Sequence, residues 1–182
     1  IPMGLQYSIT AIGTMMVQSS LNILGSYAVA AFTAGNKIEC IFTQAFVAIG
    51  TTISTYNAQN IGAGKLDRVR QGFRATDVIG CAYAVIAGFI LFFAGKYFSY
   101  LFISDNADVV IPMVDTYLRC VGMFLVPLYV VNCYRNGFQG MGYGLLPMLS
   151  GVAELVGRGV MAVIAANKKS YTMACMASPF AW

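Results

Sequence analysis

The chain has 182 residues, of which 58% are hydrophobic and only 10% charged, with a formal net charge of +4. Soluble domains carry about 25% charged residues, so a water-facing globular surface is excluded and lipid is the expected solvent for most of the exterior. No histidine is present, which excludes His-based triads, HExxH zinc sites and histidine-ligated haem.

In chain order, the first apolar segment runs from about Met3 to Leu24, with no signal-peptide pattern before it. The second covers about Ala28 to Ile61, long enough to tilt or to extend past the bilayer. Gly62-Ala63-Gly64 ends it, as glycine commonly ends helices. Lys65 to Arg74 is a short amphipathic lead-in, with Leu66, Val69 and Phe73 at helical spacing. The third segment follows, about Ala75 to Ala94. Tyr97, Phe98, Tyr100 and Phe102 then suit a membrane interface. The fourth segment is about Val109 to Phe138, closed by a tight turn over Gly140-Met141-Gly142-Tyr143-Gly144. Its prolines, Pro112 and Pro127, like Pro147 at the next helix start, begin or bend helices by removing a backbone donor. The fifth is about Leu145 to Ala166, and a sixth begins at Ser170. Both ends stop inside apolar stretches, so a piece of a longer protein is expected.

The predicted fold class is therefore an all-α, polytopic membrane protein. Lys65, Arg68, Arg70 and Arg74 lie between the uncharged runs Cys40–Gly64 and Val78–Gly95. With Arg135 they outnumber Lys96, Lys168 and Lys169 on the other side, so the Gly64–Arg74 loop is expected to be cytoplasmic. The basic residues sit in loops or singly, without a basic face interleaved with aromatics, so no nucleic-acid partner is expected. The five cysteines show no CxxC spacing and read as small buried apolar residues rather than disulfides or metal ligands. Gly62-Ala63-Gly64-Lys65 lacks the spacing and hydroxyl of a phosphate loop.

Several polar residues stand out against the apolar background. Gln6, Thr10, Thr14, Gln18 and Asn22 recur every four positions in segment one. A four-residue step drifts about 40° around a helix, so the stripe winds slowly along one side. It either lines a polar cavity or hydrogen-bonds neighbouring helices. Glu154 and Arg158, four apart in mid-segment, share a helix face and can pair; they are either functional or a self-neutralising structural pair. Asp115 and Arg119 repeat the spacing nearer an interface and read as structural. Lys37 and Glu39 interrupt segment two near its outer end, either reaching the interface or pointing into a shared cavity. Arg135 is expected to anchor at the cytoplasmic headgroups, with gating as the alternative.

Tyr56-Asn57-Ala58-Gln59-Asn60-Ile61-Gly62-Ala63-Gly64-Lys65, with the Asp67-Arg68-Val69-Arg70 tail, resembles the end of the eighth helix of multidrug and toxic compound extrusion (MATE) transporters. So do Pro2-Met3-Gly4-Leu5-Gln6, Gly137-Phe138-Gln139-Gly140-Met141-Gly142 and Glu154-Leu155-Val156-Gly157-Arg158, in the right order over essentially the whole chain. The resemblance implies that residues 1–182 are the second, C-terminal six-helix lobe of a twelve-helix transporter with pseudo-two-fold symmetry. It implies export of cationic, amphipathic compounds in exchange for Na⁺ or H⁺ across the cell (inner) membrane, with no other cofactor. The partners would be those compounds, membrane lipid and an N-terminal lobe. Gln6, Thr10, Gln44 and Asn132 would line the substrate cavity, with Tyr7 facing a cation. Some branches carry a coupling glutamate in helix seven and an aspartate in helix ten; Thr10 and Leu128 stand near those places. The coupling acid is then expected in helix one, outside this chain. A lipid-linked oligosaccharide flippase of the same superfamily is the alternative, and an intramembrane enzyme ranks last.

Overall fold

The computed structural model describes residues 2–103 and 107–182; the side chains at positions 2, 3, 5, 6, 7 and 101 lie outside the description. The described residues form helices throughout: α1 (Pro2–Leu24), α2 (Ser26–Gly62), α3 (Leu66–Phe102), α4 (Ala107–Met123), α5 (Leu125–Gly140), α6 (Leu145–Lys168), α7 (Tyr171–Cys175) and α8 (Ala177–Ala181). Among them α2, α3 and α6 are long and apolar enough to cross a membrane, and the bent pair α4–α5, taken together as one span, would be a fourth.

Helix ends follow local chemistry. At the end of α2 the Lys65 N–H bonds the Asn60 carbonyl at 2.8 Å and the Gly64 N–H bonds Ile61 at 2.9 Å. This is the double closure that needs a left-handed residue, supplied by Gly64 at φ 69°. Gly142, at φ 88°, closes α5 the same way, with Tyr143 bonding Phe138 and Gly142 bonding Gln139. Lys169 takes that position after α6 at φ 48°, unusual for a residue with a Cβ.

Three elements differ from the sequence expectation. The lead-in over residues 65–74 is no separate helix: α3 runs unbroken from Leu66 to Phe102. No proline interrupts it, and the Thr76 hydroxyl turns back to the Gly72 carbonyl at 2.9 Å rather than disturbing the ladder. The single segment expected over 109–138 is instead two helices bent by 55°. Pro127 has no N–H to offer the Met123 carbonyl, and the break falls there. Likewise α7 and α8 part at Met176, where Pro179 leaves the Cys175 carbonyl without its helical donor.

The helices gather into two groups. One is α2 against α3, α4 and α5, around Ile38, Phe46, Ile53, Tyr117 and Tyr129. The buried phenols find acceptors: the Tyr129 hydroxyl donates to the Thr76 carbonyl, and the half-buried Tyr83 donates to Phe42 at 2.9 Å. Gly88 and Gly122 let α3 cross the bend closely; a Cβ on Gly88 would lie 2.7 Å from the Gly122 carbonyl oxygen. The other group is α1, α6, α7 and α8, packed on small residues: Ala165, Ala174 and Ala177, with Ala28 from the start of α2, around Val17 and Leu21. Val78, Ile79, Phe89 and Phe93 point outward, as lipid-facing residues do.

Candidate functional site

The seam between the two groups holds the polar interior. Glu154 and Arg158 are one turn apart on α6 and both face the seam. Arg158 Nη2 lies 2.6 Å from Glu154 Oε1. From α5, Arg135 Nη2 reaches the other carboxylate oxygen, Oε2, at 2.9 Å. It also donates to the Ser150 hydroxyl at 3.0 Å. These three side chains are between 10% and 16% exposed, so the charges are largely removed from solvent. Such burial is tolerated where each charge keeps a close partner. One carboxylate serves two guanidiniums, and each guanidinium keeps a buried Nε with no hydrogen-bond partner.

Small residues make room for this arrangement. Gly13 on α1 lies against Arg158, and a Cβ there would sit 3.2 Å from Arg158 Cδ. Thr14, the next residue, accepts a long hydrogen bond from Arg158 Nη1 at 3.4 Å. Gly157 and Gly159 lie against Ala181 and Met16. The glycines flanking the arginine thus let Ala181 and Met16 approach the α6 backbone.

Across the seam stands Glu39 of α2. It is 9% exposed and accepts a hydrogen bond from the Tyr117 hydroxyl of α4. Between the two sides lies a cavity of about 220 Å³, lined by Glu39, Thr43, Asn132, Arg135, Glu154 and Arg158 among others. Asn132 is held by its neighbour one turn on, Asn136, whose amide donates to Asn132 Oδ1 at 3.0 Å. Gly50 of α2 gives both amides space, since a Cβ there would meet Asn132 Oδ1 at 2.8 Å. The cavity offers donors on one wall and a carboxylate on the other, an arrangement suited to binding rather than to bond making.

The structure places the sequence candidates as follows. Glu154, Arg158, Asn132, Glu39 and Arg135 come together around one cavity. Arg135 therefore corrects the expectation that it sits among headgroups: it turns inward because Glu154 offers a carboxylate oxygen within reach. Lys37 is exposed and borders a separate recess with Thr33, Phe102 and Val110. Gln44 is exposed on α2 and Thr10 is half-buried on α1; neither lines the cavity. The side chains of Gln6 and Tyr7 lie outside the described residues. Of the cysteines, Cys133 and Cys175 are buried, but Cys40 is exposed, unlike the small buried residue expected there; all five are free. Sequence reasoning missed Tyr117, Thr43 and Ser150. Tyr117 lies 78 positions from Glu39, and no local spacing connects them.

The model of the family described as MatE matches residues 2–164. The chain belongs to the MatE family. It is also 30% identical over 149 residues to the "Probable multidrug resistance protein YpnP" of Bacillus subtilis (strain 168), a match covering 82% of this chain and 33% of that protein. Its fold is similar to that of a MOP superfamily transporter from Pyrococcus furiosus, with a TM-score of 0.88 and 20% identity over 99% of this chain and 41% of the other. At that identity the likeness shows the all-α membrane fold alone. The chain thus spans about a third of the Bacillus relative and two-fifths of the Pyrococcus one. Family membership and the apolar helices make the chain part of a multi-pass membrane protein.

Proposed function

We propose that this chain forms the C-terminal lobe of a secondary-active multidrug antiporter. The transporter would export cationic, amphipathic compounds against Na⁺ or H⁺ by alternating access, with a further lobe and the surrounding lipid as its partners. The family match over residues 2–164 carries the reading. The cavity at the seam supports it, because charged side chains inside a membrane bundle mark ion or substrate paths and repeat-built transporters bind near mid-membrane. In the proposed orientation the Gly64–Arg74 loop faces the cytoplasm of the cell (inner) membrane, as its four basic residues favour. Gln6, Tyr7, Thr10 and Gln44 would face the other lobe, so their role would rest on a surface this lobe cannot complete alone.

A flippase for lipid-linked oligosaccharides is a second reading, favoured by the two guanidiniums on the cavity wall. For the Pyrococcus transporter, reverse polarity of the binding pocket suggests a different function. Against it, Glu39 and Glu154 offset the arginines in the same cavity. Reconstitution of the full-length transporter in liposomes decides between them. Ethidium movement driven by an imposed Na⁺ or proton gradient is expected. Gradient-independent movement of a diphosphate lipid, with no ethidium transport, would overturn the antiporter reading.

A further inference from the structure

We infer that the crevice between α3 and the α4–α5 bend binds one phospholipid with a net negative headgroup. Its phosphate sits between Lys96 and Arg119, and an acyl chain lies along the crevice. This needs only the membrane-spanning fold and does not depend on what the transporter moves. The crevice has a volume of about 400 Å³ and shares no lining residue with the seam cavity.

The crevice is built by close backbone approach. Gly88 and Gly122 form its floor, and a Cβ on Gly122 would lie 3.0 Å from the Gly88 carbonyl oxygen. Phe89, Phe92 and Phe93 make the α3 wall. Phe89 and Phe93 stack in parallel at 6.1 Å, and Phe92 meets Phe93 edge-on at 5.1 Å. Met123 and Val126 make the other wall, on either side of the 55° bend. Phe89, Phe93 and Met123 are exposed.

The two walls run antiparallel, since Gly88 meets Gly122 and Gly95 meets Leu118. Steps of three or four residues keep each wall on one helix face. Followed towards the same end, each face reaches a base: Lys96 after Phe92 on α3, and Arg119 before Gly122 on α4. The Arg119 guanidinium stands 5.5 Å from the centre of the Phe92 ring, itself part of the crevice, and is half exposed. Asp115 holds Arg119 Nε at 2.8 Å. Among the described residues neither Arg119 nor Lys96 makes another ion pair. Two bases against one acid leave one positive charge at this end, and the terminal nitrogens of the guanidinium suit phosphate oxygens.

The dimensions fit a lipid. From Lys96 to Val85 the wall runs about 16 Å at 1.5 Å per residue, close to one leaflet of a hydrocarbon core about 30 Å thick. Exposed Tyr97 and Tyr100 mark headgroup level at the basic end. Charge then sorts the occupants. A zwitterionic headgroup brings its own cation to an end already positive, and a cationic compound brings nothing else. A protein helix would have to supply an acid to both bases.

The test uses the full-length transporter in nanodiscs of phosphatidylcholine, doped with phosphatidylglycerol that carries a diazirine on its acyl chain. After illumination and digestion, adducts should concentrate on the peptides holding Phe89 and Met123. Lys96→Gln and Arg119→Gln should each lower that labelling about five-fold, the effect of one basic contact at a membrane surface. The same diazirine on phosphatidylcholine should label the crevice about five-fold less than on phosphatidylglycerol. Met123→Trp, a change at an exposed position, should fill the crevice and remove the adducts there. If Arg119→Gln fails to fold, Lys96→Gln and Met123→Trp decide. Three results would overturn the inference: equal labelling by the two probes with no response to Lys96→Gln, adducts no denser in the crevice than at outward-facing Val78 and Ile79, or a crevice already filled by another protein segment and closed to both probes.

Discussion

Asp115–Arg119 on α4 and Glu154–Arg158 on α6 are the same motif in two settings. Each places an acid one helical turn before an arginine, and each pair closes, at 2.8 Å and 2.6 Å. The α4 pair faces outward: Arg119 is 51% exposed, and its guanidinium lies 5.5 Å from the centre of the Phe92 ring. The α6 pair faces the seam, with Arg158 at 12%, and recruits Arg135 from α5 and Thr14 from α1. Four-residue spacing thus dictates that a pair forms. What surrounds it dictates what the pair is worth, because an exposed pair is screened and a buried one leaves a bare charge if broken.

The sharpest way to break the comparison is to remove the two carboxylates separately. Glu154→Ala strands two buried guanidiniums at once, and about 3–5 kcal/mol of stability should be lost. Glu154→Gln should lose somewhat less, because an amide oxygen still accepts hydrogen bonds. Asp115→Ala should shift the same unfolding curve far less. Thermal or denaturant unfolding of the purified full-length transporter measures both. Equal losses at the two sites would show that burial is not what separates them.

A substitution that touches no charge tests the same point. Gly13 makes the slot for Arg158, and among the described residues no glycine stands against Arg119 in the same way. Gly13→Leu should push the guanidinium aside and cost about 1–3 kcal/mol, the usual range for overpacking. Gly13→Ala, whose Cβ would stand 3.2 Å from Arg158 Cδ, should cost less because that side chain can give way. The readout is again the unfolding midpoint. A Leu variant as stable as the parent would mean that Arg158 has room the close approach denies.

Much of the fold was legible because it is written locally. Hydropathy marked the long helices, and Gly62-Ala63-Gly64 marked where α2 stops. The α4–α5 bend was half legible: Pro127 was visible, but whether a freed carbonyl bends a helix depends on what packs there, here Gly88 against Gly122. The site was legible in its parts and not in its assembly. Glu154 and Arg158 announced each other through their spacing. Arg135 did not, since its partner lies 19 positions away on another helix, and a basic residue near a helix end reads by default as an interface anchor. Glu39 was visible as a charge in an apolar run, yet nothing local told its side from that of Lys37. Inward and outward differ by two residues on a helix, and only the neighbouring helices α4 and α6 settle which is which.

The smallest effect sharpens the comparison most. Arg119→Ala removes an exposed ion pair and a ring contact, each worth about 1 kcal/mol or less at an open site. A double-mutant cycle with Asp115→Ala isolates the ion pair, and a coupling of about 0.3–0.5 kcal/mol is expected for a helical pair of this spacing. Arg119→Lys should keep most of that coupling while weakening the contact with Phe92. The coupling should also shrink as salt is raised, whereas a cycle on Glu154 and Arg135 should barely respond to salt. A coupling near 2 kcal/mol at Asp115–Arg119, insensitive to salt, would mean that this face is covered in the assembled transporter. The two pairs would then be alike in setting as well as in spacing.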